Sequence, residues 1–128
     1  MIFKGISKRF VTIDNQQYEE IGDYWDYFAK LFGRENLLGL GLNWKEDSLE
    51  YVIGTVDDSL KFDIEQVKDV YPDCKYKEID LPEDEWKTYD GRTEELSKLY
   101  DAIYKEGVLL YEIESFRDDG NCRIRIRR

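Results

Sequence analysis

The sequence predicts an α+β domain: a strand–helix–hairpin unit used twice, forming antiparallel sheet with two main helices and a pseudo-twofold cleft between the halves. Three observations carry that expectation. Val108–Phe116 and Cys122–Arg127 alternate with period two, which sends successive side chains to opposite faces of a sheet. Tyr18–Phe32 and Leu96–Tyr104 place their apolar residues at helical spacing instead. Displacing the chain by 72 residues lays Leu37–Thr55 on Leu109–Arg127 without a gap, with Trp44 on Phe116 and Lys45-Glu46-Asp47 on Arg117-Asp118-Asp119.

Taken in order, Phe3–Ile13 reads as a first strand, rich in β-branched and aromatic residues and interrupted by Gly5. Asp14, with Gln17 three residues on, suggests a capping box for the first helix. That helix carries Ile21, Tyr24, Trp25, Phe28, Leu31 and Phe32 on one stripe and stops at Gly33. Leu37–Trp44 and Leu49–Val56 form a hairpin around Lys45-Glu46-Asp47-Ser48. Asp63 is placed to cap a short helix through Val70, closed by Pro72. Lys75–Leu81 and Trp86–Asp90 read as strands, separated by Pro82 and the acidic loop Glu83-Asp84-Glu85. Thr93 is placed to cap the second main helix, striped by Leu96, Leu99, Tyr100, Ile103 and Tyr104 and ended by Gly107. The closing hairpin turns through Arg117-Asp118-Asp119-Gly120. The two units are then roughly residues 1–56 and 75–128 of a single domain spanning 1–128.

Equal-count pairing across both hairpins assigns the faces. It puts Glu112 opposite Arg125 and Glu114 opposite Arg123, with Leu110 and Phe116 alongside. In the first hairpin it groups Leu38, Leu40, Leu42 and Trp44 with Tyr51 and Ile53. Gly39, Gly41 and Gly54 take the other face, where small residues admit a helix carrying Tyr24, Trp25 and Phe28. A cleft between the hairpins is then apolar and aromatic on one wall and charged on the other.

Composition excludes several classes. At 128 residues the chain can bury a real core without staples, and 41% apolar and 15% aromatic residues fit a folded globule. The net charge of −10 argues against a nucleic-acid backbone or an anionic membrane as partner. Absence of histidine removes the commonest metal ligand and neutral-pH general base. Cys74 and Cys122 lack metal or redox spacing and read as free thiols of a reducing compartment. The opening MIFKGISKRF is no signal peptide and no segment is apolar enough to span a bilayer, so a cytoplasmic protein is expected. Asp57-Asp58, Glu83-Asp84-Glu85 and Asp118-Asp119 read as solvated loop charge rather than a metal site. No phosphate-binding glycine loop and no histidine-based triad occurs, and no cofactor is implied.

From the residues alone, Glu112 is either the acidic floor of a cation pocket or half of a cross-strand ion pair with Arg125. Tyr51, Trp44, Trp86, Tyr89 and Phe116 are either pocket walls or core. A resemblance bears on this choice. Gly5-Ile6-Ser7-Lys8-Arg9, Trp25 with Phe28, Tyr51-Val52-Ile53-Gly54, Leu81-Pro82 running to Trp86 and Tyr89, and Tyr111-Glu112-Ile113 occur in the order of the GyrI-like family. Essentially the whole chain resembles these SOUL-like effector-binding domains of AraC- and MerR-type regulators, also found as stand-alone proteins. The resemblance implies a pocket between pseudo-twofold halves, with Glu112 at the family's acidic position facing a hydrophobic cation. The expected ligand set is Glu112, Glu114, Tyr51, Tyr89, Trp86, Phe116, Leu40 and Arg125. The chain departs from the pattern in its short approach to Glu112, in Arg127 where relatives end in proline, and in the arginines beside Glu112.

A binding protein linked to transcription regulation is the first reading, acting through a separate regulator or as a homodimer, since no DNA-binding region precedes the domain. The second is a hydrolase of reactive electrophiles in which Glu112 with Tyr51 or Tyr89 steers a water, as in some similar proteins. The third is a protein-binding adaptor without a small-molecule ligand.

Overall fold

The alternating segments assemble into one antiparallel sheet. The computed structural model describes residues 1–128. Its strands are β1 (Ile2–Val11), β2 (Leu38–Lys45), β3 (Ser48–Thr55), β4 (Lys75–Asp80), β5 (Lys87–Arg92), β6 (Tyr111–Phe116) and β7 (Asn121–Arg127). They lie in the order β4-β1-β3-β2-β6-β7-β5. Helices α1 (Gln17–Phe32), α2 (Ile64–Lys68) and α3 (Leu96–Tyr104) complete the α+β fold. Segment 75–80, assigned above to the second unit, pairs with β1 at the outer edge of the first half.

Helix boundaries follow local chemistry. Gly33, at φ 83°, ends α1 and returns its N–H to Ala29 O at 2.8 Å. Asp63 caps α2 as expected, its carboxylate accepting from the N–H groups of Glu65 and Gln66. Asp14 and Thr93 do not cap. A short 3-10 turn precedes each main helix, and neither turn nor helix has a side-chain cap. These helices are held by their apolar faces: Tyr24, Trp25 and Phe28 of α1, and Tyr100 and Ile103 of α3, are buried.

Both helices cover the same face of the sheet. Under α1 lies a core containing Ile6, Phe10, Tyr51 and Ile53; under α3 lies a smaller one with Leu109, Ile124 and Ile126. The opposite face is covered differently. β4 and β5 are the two edge strands, so the chain joining them must cross the sheet. Leu81 and Trp86 of that crossing pack with Phe3, Leu40, Leu42, Val52 and Ile113. Polar contacts fasten it. Leu81 exchanges backbone hydrogen bonds with Met1, and Trp86 donates its indole N–H to Pro82 O at 2.7 Å. Arg125 lies 5.3 Å from the Trp86 ring centre and Arg127 pairs with Glu85 at 3.4 Å.

Both hairpins differ from equal-count pairing by one residue. In the second, Arg117 and Asn121 close a three-residue loop in which Gly120 adopts φ 89°. The register becomes Glu112↔Ile126, Ile113↔Arg125 and Glu114↔Ile124. In the first, Lys45 pairs with Ser48 across a two-residue turn, and a bulge follows where Asn43 adopts φ 51°. Beyond it Gly41 faces Tyr51 and Gly39 faces Ile53. A one-residue slip moves every side chain to the other face of its neighbour. Arg123 and Arg125 therefore leave the glutamates, Tyr51 and Ile53 join Gly39 and Gly41, and Gly54 instead joins Leu38, Leu40 and Leu42.

If the crossing segment is a fastened lid on the second core, Trp86→Ala lowers stability by about 2 kcal/mol through lost apolar burial. Urea denaturation measures this; a change below about 0.5 kcal/mol, the scale of an ordinary surface substitution, would show that the segment is not holding that core.

Candidate functional site

The centre of the helix-covered face is built from two rows of residues running across the strands. One reads Ile6, Ile53, Gly39, Glu114, Ile124, Tyr89, and the next reads Lys8, Tyr51, Gly41, Glu112, Ile126, Lys87. At the β2–β6 seam, two glycines without side chains stand opposite two glutamates. The seam also falls between the apolar faces of α1 and α3. The result is a cleft of about 860 Å³ with Glu112 and Glu114 on its floor.

Gly39 is required by what crosses it. A β-carbon there would stand 2.0 Å from the Tyr51 hydroxyl and 3.0 Å from Trp25 Cζ2. Its absence lets the Tyr51 ring lie diagonally over β2 and reach Glu114. The hydroxyl accepts the Trp25 indole N–H at 2.7 Å and donates to Glu114 Oε1 at 2.5 Å. From the other side, α3 supplies two tyrosines one turn apart, with rings stacked at 5.6 Å. Tyr100 donates to Glu114 Oε2, and Tyr104 donates to Glu112 Oε2 at 3.2 Å. Glu114 thus has a tyrosine on each oxygen, whereas Glu112 has one.

Neither glutamate forms an ion pair. Both are buried, 4% and 6% exposed, and burial penalises the charged form of each. The Glu112 carboxyl is pushed up to about 8, by burial first and by the neighbouring Glu114 charge second, against the pull of Tyr100 and Tyr104. Glu114 moves in the same direction from burial, opposed by its two tyrosine donors. The phenols of Tyr51, Tyr100 and Tyr104 are raised by burial and by the glutamates, so all three stay protonated donors at neutral pH.

The cleft walls are aromatic. Trp25 and Phe116 meet edge to face at 5.1 Å, and Trp44 and Tyr18 also border the space. The cations at the rim do not reach the floor: Arg34, for example, is engaged by Asp26 at 2.7 Å.

Of the expected ligand residues, Glu112, Glu114, Tyr51 and Phe116 come together here. The rest do not. Leu40 faces Val52 and Ile113 in the second core. Trp86 and Arg125 are the fastening pair of the crossing segment on that same far side. Tyr89 shares the Glu114 row but sits at the β5 edge beyond Ile124, where its hydroxyl meets Glu106 at 3.3 Å. Tyr51 bonds Glu114 rather than Glu112, so neither tyrosine named for a hydrolase pairs with Glu112 as expected; Tyr104 does. Sequence reasoning placed Tyr100 and Tyr104 in the α3 core stripe and missed their hydroxyls. The available signal was two tyrosines at i and i+4 in an otherwise aliphatic face, whose hydroxyls need partners when buried.

No family model matches the chain, and no curated protein matches it. Fold and site define an α+β sheet protein with an aromatic, carboxylate-floored cleft between two helices.

The raised Glu112 carboxyl makes stability depend on pH. In the unfolded chain it releases its proton near about 4.3; in the folded protein it keeps it to about 8. Between those values the folded state binds the extra proton, so stability falls as pH rises, by about 1.4 kcal/mol per pH unit, and levels off above. Glu112→Gln removes this slope. In urea denaturation the variant should gain on wild type between pH 5 and pH 8 by a few kcal/mol, of the order of that slope times the interval. An equal difference at both pH values would contradict a protonated, buried Glu112.

Proposed function

We propose that the cleft binds hydrophobic, cationic small molecules, and that the chain works as an effector-binding or drug-sequestering domain of the GyrI-like kind. The observation that carries this reading is the unpaired acidic floor: two buried carboxylates, no basic partner, and aromatic walls. Such a floor costs free energy in the empty protein, and a desolvated organic cation supplies the missing charge. Aromatic faces add cation–π attraction, and the volume suits a drug-sized molecule. The net charge of −10 adds long-range attraction for cations.

Support for the family reading comes from the strand order. On either side of the β2–β6 seam the sheet runs outward through the hairpin partner to the strand preceding the helix, as a unit used twice requires. Glu112 lies on the penultimate strand, facing the cleft. Communication with transcription runs through a regulator, and the cytoplasm is the compartment proposed for the chain. No helix is long and apolar enough to cross a membrane.

One observation favours a second reading, hydrolysis of strained electrophiles. Tyr104 donates to Glu112, whose carboxyl titrates near neutrality, a pairing able to hold and deprotonate a water. Turnover of an epoxide such as styrene oxide, lost in Tyr104→Phe, would favour it; binding without turnover favours the first.

Rhodamine-type cations should bind at micromolar strength and quench fluorescence from Trp25 and Trp44, which border the cleft. Glu112→Gln should weaken binding by about tenfold or more, equivalent to about 1.4 kcal/mol or above. Arg125→Met, on the far side of the sheet, should leave affinity unchanged. Wild-type affinity in Glu112→Gln would remove the carboxylate from recognition.

A further inference from the structure

The two floor glutamates are not equivalent, and the difference specifies how a cation is taken up. Glu114 has Tyr51 on one oxygen and Tyr100 on the other, and Tyr51 is itself backed by the Trp25 indole. Every one of these groups donates toward Glu114, an arrangement that fits a carboxylate and not a carboxylic acid. Glu112, two residues along the same strand face, accepts from Tyr104 at 3.2 Å; Tyr100 also lies near enough to pull on it, but its single hydroxyl proton goes to Glu114. With both oxygens of Glu114 occupied, direct contact between a ligand cation and a carboxylate falls to Glu112.

Two buried carboxylates this close, with no basic side chain bonded to either, do not both ionise in an empty cleft. The surrounding elements supply no compensating charge. α1 contributes Trp25 and Tyr18, β3 contributes Tyr51, and α3 contributes Tyr100, Tyr104 and, further out, Asp101. β2 contributes glycine backbone, and Ile126 and Ile124 stand opposite the glutamates on β7. Arg34, Lys45 and Arg117 stay at the rim among Asp26, Glu46 and Asp118.

We propose that a cation enters this cleft in exchange for a proton: Glu112 is a carboxylic acid in the empty protein and releases its proton to solvent as the cation takes its place, while Glu114 remains the resident anion throughout. The exchange balances, since the floor loses one proton and gains one cation. No bond other than the Glu112 O–H breaks. It rests on the cation-binding reading and adds a regulation to it: uptake is favoured at alkaline pH and release at acid pH. The raised Glu112 carboxyl, at about 8, places the turning point just above neutrality.

Tetraphenylphosphonium tests this, because its charge is permanent and any proton released must come from the protein. Calorimetric titration at pH 7 in buffers of different ionisation heat should show close to one proton released per cation bound, falling toward none above pH 9. Apparent affinity should rise about tenfold per pH unit from pH 6 to pH 8 and then level. Glu114→Gln, which removes the neighbouring charge, should move that break to lower pH. Before any ligand is added, infrared spectroscopy at pH 7 should show the carbonyl band of one protonated carboxylic acid, absent from Glu112→Gln. Binding that is independent of pH and releases no proton overturns the exchange while leaving the cation reading intact. A carboxylic acid band without phosphonium binding at any pH overturns the cation reading, and the exchange with it.

Discussion

The pairing of β2 with β6 is the constraint from which the rest of the cleft follows. It sets Gly39 against Glu114 and Gly41 against Glu112 at the middle of the sheet, where α1 and α3 leave the face uncovered. The glycines remove two side chains from the place where Tyr51 must cross, and the glutamates replace apolar core with acid. A β-carbon on Gly39 would collide with the Tyr51 hydroxyl, and the Trp25–Tyr51–Glu114 chain of hydrogen bonds would have no path. Removing the tyrosines would leave Glu114 buried without donors, a cost of about 1–3 kcal/mol or more for each partner lost. Glycine, tyrosine and glutamate are therefore mutually dependent, although they lie on separate elements.

The helices, hairpins and fold class were legible because they rest on long patterns. The stripe from Ile21 to Phe32 and the alternation from Tyr111 to Phe116 each repeat over several turns or pleats, and single deviations do not erase them. The faces were not legible. Alternation fixes which residues of a strand point together but not which side of the neighbouring strand they join, and that is decided by the turn. At both hairpins the decision came from one residue in the left-handed region, Asn43 in the β2 bulge and Gly120 in the loop before β7. Neither departs from an ordinary turn composition, so equal counting gave the wrong register twice.

The consequences for the site were specific. Glu112, Glu114, Tyr51 and Phe116 were legible as chemistry-bearing residues on strands. The slipped register joined them to Arg125 and Leu40, which the structure places on the other side of the sheet. Arg125 instead stacks on Trp86 and helps hold the crossing chain, which frees Glu112 from the arginine expected to neutralise it. Tyr100 and Tyr104 escaped notice because a tyrosine in a helical stripe reads as core, and its hydroxyl acquires a role only when the opposite element brings an acceptor. That acceptor lies on β6, at a separation no local pattern reports.

An acidic, aromatic floor with no cation of its own is the ground for proposing a cationic ligand, and charge preference is the central claim. The most direct measurement is a paired titration of the wild-type protein with a cationic xanthene dye and an uncharged dye of the same ring system, followed by tryptophan quenching. The account predicts that the cation binds at least about tenfold more tightly, a difference of about 1.4 kcal/mol. Equal affinity for the two dyes would mean that aromatic burial alone governs the cleft, and would contradict a carboxylate-driven site.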